Sequence, residues 1–181
     1  MGPFFNRAKA SVIRKKGVPL AHVPGHGWRR VVPSPRPLEI VEGETVRALG
    51  GQDVVVIAAG GGGIPVTRHR GRLRGVDAVI DKDLASAVLA HDVGARELVL
   101  LTDVRKVSLD FQQPSQTDLD AMTASEAERY AARGHFPPGS MGPKVEAAAM
   151  FVRGGGKRAI ITSPGFLGAA LEGKDGTCVT P

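Results

Sequence analysis

The sequence predicts an α/β fold: a doubly wound, mostly parallel sheet with helices on both faces. Three observations carry this expectation. Short runs that are apolar throughout recur along the chain, the pattern of strands buried on both faces. Helix-like stretches alternate with those runs. Hydrophobic residues make up 42% of the 181 residues and charged residues 23%, a globular balance that excludes a disordered or fibrous chain.

Taken in order, residues 5–16 read as a basic helix stopped by Gly17 and Pro19. A Pro- and Gly-rich stretch follows to Pro37, with a short strand over residues 30–32. These residues, 1–37, form one expected segment, and residues 38–181 form a nucleotide-binding α/β domain. Residues 39–49 predict a helix ended by Gly50 and Gly51. The apolar run 54–59 reads as a buried strand, as do the runs 76–80, 98–101 and 159–162. Helices are expected over residues 84–90, 144–152 and 166–171. Thr123 with Glu126 is the signature of a capping box opening a helix to about residue 132.

Charge and cysteine content narrow the partners. The net charge of +6 favours anionic ligands, but the basic residues look dispersed, and Arg68, Arg70, Arg72 and Arg74 alternate as on one solvated strand face. Few aromatic residues accompany them, so no nucleic-acid partner is expected. Cys178 is the single cysteine, which precludes an intrachain disulfide. No apolar run approaches the roughly 20 residues of a membrane span, and the first ten residues lack a signal-peptide core. The expectation is a cytoplasmic protein with no membrane partner.

In a parallel α/β sheet, ligands sit beyond the carboxyl ends of the strands. Four stretches fall there. Gly60, Gly61, Gly62 and Gly63 follow an apolar run, and consecutive glycines let backbone amides approach an anion. Asp81, Lys82 and Asp83 follow the next run; the lysine suits a phosphate, and the aspartates could orient it or cap a helix. Thr102, Asp103 and Val104 follow a third run and could meet a nucleotide or turn the chain. Ser140, Met141, Gly142, Pro143 and Lys144 open an Ala-rich helix, where amides, dipole and ammonium make an anion site. Lysine at that end opposes the dipole, which a bound phosphate would justify. The five histidines show no metal-ligand spacing, so no metal site is expected in the chain itself.

These stretches together resemble the carbamate kinases of the amino acid kinase family. The matching segments are GWRRVVPSP (27–35), GGGGIPV (60–66), GVDAVIDKDLAS (75–86), LTDV (101–104), GHFPPGSMGPKVEAA (134–148) and GKDGT (173–177), in the family's order. The resemblance implies a three-layer sandwich and reversible phosphoryl transfer between carbamoyl phosphate and ADP, giving ATP and carbamate, with Mg2+ and as a homodimer. Lys82 and Lys144 are then the lysines that neutralise the moving phosphoryl group, and Asp83 holds them. Gly60 to Gly63 approach the transferred group, while Thr102 to Val104 and Met141 to Pro143 lie by the nucleotide. The alternative is a non-catalytic nucleotide-binding or interaction module, a degenerate kinase copy. Four departures stand out, one being His26 where the family's usual GRGWRR has arginine. The chain starts where the family reads roughly IGPF, so an N-terminally truncated kinase without the first glycine loop is expected. Ser108 stands where a tyrosine is common, and Asp110 where asparagine is.

Overall fold

A computed structural model describes residues 3–136 and 139–181. Two compact units emerge, Met1–Pro35 with Ile64–Val79, and Arg36–Gly63 with Ile80–Pro181. Residues 64–79 therefore group with the N-terminal stretch, not with their neighbours in sequence.

The first unit contains β1 (Phe4–Phe5), α1 (Arg7–Lys15), β2 (Leu20–Val23) and β3 (Gly27–Arg30). Strand β3 lies between β1 and β2, antiparallel to both. Asn6 caps α1 by accepting the Lys9 N–H at 2.9 Å, and Ala10 is buried beneath the helix. Arg14 stacks over Trp28, 4.1 Å from the ring centre. The alternating arginines do not share one strand. They form a hairpin of β4 (Val66–His69) and β5 (Arg72–Gly75), because Arg70 and Gly71 turn the chain with φ of 49° and 75°. That two-residue turn matches the twist of a hairpin.

The second unit holds the main core. Its elements are α2 (Gly43–Gly50), α3 (Lys82–Asp92), β6 (Glu97–Leu101), β7 (Val107–Leu109), β8 (Thr117–Leu119), β9 (Ala121–Thr123), α4 (Ala124–Ala132), α5 (Met141–Arg153), β10 (Arg158–Thr162), α6 (Leu167–Leu171) and β11 (Thr177–Thr180). The sheet runs β6-β10-β11-β9. The pairs β6/β10 and β9/β11 are parallel, and β10/β11 is antiparallel. The sheet is thus mixed with parallel pairs in the majority, as expected of the fold class. Strands β7 and β8 make a separate antiparallel pair.

Burial follows the sequence pattern where strands pair. Ala159, Ile160 and Ile161 of β10 are fully buried, and α5 covers the sheet with Val145, Ala147, Ala148 and Phe151. Alanines on α3, α4 and α5 let these helices pack closely. The expected capping box at Thr123 is present: Thr123 Oγ1 accepts the Glu126 N–H at 3.2 Å, and Glu126 accepts the Thr123 N–H at 2.9 Å.

Two expected strands do not form. Residues 54–59 and 76–80 pair with no other strand among the described residues. Val55 is 94% exposed and Ile57 97%. An apolar run sets a preference for a sheet interior, but a strand exists only where a neighbour supplies the ladder of hydrogen bonds. Smaller differences lie at helix starts: α2 begins at Gly43, not at residue 39, and α5 begins three residues before Lys144.

Candidate functional site

The geometry of the second unit collects helix N-termini on one rim of the sheet. Helix α3 joins β6 through four residues, and α5 joins β10 through four. Each helix packs on the strand that follows it. A short link forces the helix to run back along its strand, so the helix N-terminus lies at the strand's carboxyl end. Since β6 and β10 are parallel neighbours, the N-termini of α3 and α5 come to the same rim, and the two helices pack on each other.

Asp83 and Lys144 meet there. Lys144 Nζ donates to Asp83 Oδ1 at 3.1 Å and to Oδ2 at 3.2 Å, with both residues buried. Lys82 Nζ lies 3.5 Å from Asp83 Oδ2, and its side chain remains 58% exposed. One carboxylate therefore holds two ammonium groups, one buried and one facing solvent. Asp81 is the cap of α3: its Oδ1 accepts the N–H groups of Asp83 at 2.8 Å and Leu84 at 3.2 Å. The ambiguity between cap and ligand is thus resolved by position, with Asp81 capping and Asp83 turned to the lysines.

Helix α5 opens differently. Ser140 makes no side-chain cap bond, and Gly139 adopts a left-handed φ of 78°. Met141, Gly142 and Pro143 form the first turn, with Lys144 directly after them. An uncapped helix start presents free amides and the positive end of the helix dipole. A buried lysine beside it adds cationic charge, so this end of α5 suits an anion.

Thr102, Asp103 and Val104 leave β6 on this same rim. The Thr102 N–H donates to Thr162 O at 2.9 Å, tying the ends of β6 and β10 together, while Asp103 is exposed. Sequence reasoning singled out neither Arg105 nor Phe166. Arg105 Nε donates to both Asp175 oxygens, at 2.8 and 2.6 Å, and its guanidinium stacks over Phe166 at 4.4 Å. The Arg105 hydrogen bond holds the Asp175 carboxyl below its usual range.

Gly60 to Gly63 are not brought into this cluster. They form an exposed turn in which the Gly63 N–H donates to Gly60 O at 3.2 Å. Among the described residues, no hydrogen bond joins them to Lys82, Asp83 or Lys144. Histidines and carboxylates likewise make no group of three able to hold a metal ion among the described residues. No helix there is long and apolar enough to cross a membrane.

The chain has relatives among known proteins. The amino acid kinase family model matches residues 6–163. The chain is 49% identical over 182 residues to a carbamate kinase of Pyrococcus horikoshii, covering 100% of this chain and 58% of that protein. It is 48% identical over 180 residues to a carbamate kinase-like protein of Escherichia coli, with 99% and 58% covered. Among solved structures, carbamate kinase from Giardia lamblia bound to AMP-PNP superposes with a TM-score of 0.89 at 43% identity, covering 99% of this chain and 58% of that one. The chain thus spans somewhat under three fifths of the length of these relatives. With the family model matched over most of its length, the chain belongs to the amino acid kinase family.

Proposed function

We propose that this chain carries the nucleotide-phosphate half of a carbamate kinase-type reaction. In that reaction an ADP β-phosphate oxygen attacks the phosphorus of carbamoyl phosphate. The bond from phosphorus to the carbamate oxygen breaks, and ATP and carbamate result. The observation that carries the reading is the pair of ammonium groups on Asp83 at two converging helix N-termini. Phosphoryl transfer needs charge neutralisation and positioning more than covalent help from the protein. Lys82, half free of its partner, is placed to follow the moving phosphoryl group. Lys144 is held by Asp83 and fixes charge at the foot of α5. Met141 to Pro143 and Thr102 to Val104 border the nucleotide, whereas the glycines at 60–63, in an exposed turn away from the lysines, take no part in this arrangement.

The residues do not fit a magnesium ion ligated by the protein. Asp83 is engaged by lysines and Asp81 by amides of α3. In this reading magnesium belongs to the phosphates of the nucleotide.

ATP formation from ADP and carbamoyl phosphate tests the proposal, with Lys82→Met as the control variant. Turnover that falls at least a hundredfold in the variant supports it; equal turnover in both proteins overturns it. The exposed turn at 60–63 favours one second reading, a nucleotide-binding module without transfer. Calorimetry showing ADP binding without any ATP formation would select that reading.

A further inference from the structure

The charge of this protein is sharply divided between its two units. Met1–Pro35 with Ile64–Val79 holds eleven Lys and Arg against one acidic residue, a net of +10. The remainder of the chain holds thirteen against seventeen, a net of −4, and the two make up the +6 of the whole. In sequence the basic residues look scattered because residues 36–63 separate two basic stretches. The fold gathers both stretches into one body, which corrects the expectation of dispersed charge.

Within that unit the only carboxylate is Asp77, and it sits 3.3 Å from Arg30. The hairpin β4–β5 is sided. Thr67 faces Arg74 and His69 faces Arg72 across the ladder, so alternation places His69, Arg72 and Arg74 on one face. Val66, Arg68 and Leu73 lie on the other face, and Arg70 stands at the turn. Arg70, Arg72 and Arg74 are all exposed. Helix α1 adds the exposed Arg7, Lys9, Arg14 and Lys15.

We propose that this unit binds nucleic acid through its phosphate backbone, without reading sequence. A net charge of this size on so small a body favours a polyanion over a small ligand. Eight of the eleven cations are arginine, whose planar fork matches phosphate oxygens in pairs. Backbone binding needs no aromatic platform, so the scarcity of aromatic residues near the arginines does not weigh against it.

Fluorescence anisotropy of the full chain with a labelled 24-nucleotide oligothymidine, at 50 and 200 mM NaCl, tests the proposal. Neutralising three phosphates with the hairpin arginines alone gives a log–log salt slope of about −2, a loss of about 16-fold over that range. The expected result is binding at 50 mM that weakens by at least that factor. A variant combining Arg70→Gln, Arg72→Gln and Arg74→Gln should keep the parent's melting curve and flatten the slope by about 2. Four results would overturn the proposal: no binding at 50 mM; an unchanged slope in the variant; polyglutamate of matched charge competing as well as unlabelled oligonucleotide, which points to an acidic protein; or displacement by saturating ADP, which points to the lysine–aspartate site. The arginine variant leaves Lys82 and Lys144 untouched, so the proposal stands or falls separately from the phosphotransferase reading.

Discussion

Asp83 serves two lysines that differ in burial, and this separates stability from chemistry residue by residue. Asp83→Asn strands the buried ammonium of Lys144, and loss of one partner of a buried pair costs about 3–5 kcal/mol. Urea unfolding should show that loss. Lys82→Met removes only an exposed partner and should cost under about 1 kcal/mol, whatever it does to turnover. Acid sensitivity also resolves to single groups. Arg105 lowers the Asp175 carboxyl, Arg158 lowers Glu97, hydrogen bonds from Ser108 and Gln116 lower Asp118, and Thr123 lowers Glu126. A carboxyl with a depressed native pKa binds fewer protons folded than unfolded, so its stabilisation is present above the unfolded value. That value is about 4. Stability should therefore be flat above about pH 5 and fall as pH drops through the lowered native values. Asp175→Asn should remove part of that slope in an acid titration followed by circular dichroism. Lys82 and Asp83 were legible after an apolar run and Lys144 at a helix start, with their meeting implied by the family resemblance; the Arg105–Phe166 stack was not legible, because it joins positions distant in sequence through a ring contact.

Element ends were written most clearly in the chain. Thr123 and Glu126 announce α4 because the capping box satisfies two amides with residues at fixed spacing. Thr123→Ala should cost about 1 kcal/mol by thermal melting. The stop of α5 shows a limit. Gly154, Gly155 and Gly156 mark an end, but only the packing shows that Gly156 lies against the Phe151 ring, where a Cβ would overlap three ring atoms. Gly156→Ala should therefore displace a core aromatic that is 2% exposed and lower stability by about 1–3 kcal/mol. Strands were less legible than helices. The runs 98–101 and 159–162 became β6 and β10 because each found the other; 54–59 is as apolar but pairs with no strand among the described residues. A helix satisfies its own backbone, whereas a strand borrows its hydrogen bonds from elsewhere in the chain.

At the scale of the molecule, the division into two units was not readable from composition, since the first unit is assembled from stretches separated by 28 residues. The fold class was readable, because its main sheet and the helices on it come from a continuous run of the chain. Within the first unit, the Val79 N–H donates to Pro33 O at 3.0 Å, and Arg30 reaches Asp77. These links have a consequence for how the protein comes apart. A single protease cut between Pro35 and Arg36 would free the N-terminal peptide covalently, yet that peptide would stay clasped by residues 64–79. The nicked protein should migrate as one species in gel filtration and as two bands only after denaturation. Threaded in this way, the basic unit can be lost only by unfolding it, so no terminal trimming can shed it piece by piece while leaving the rest of the chain intact.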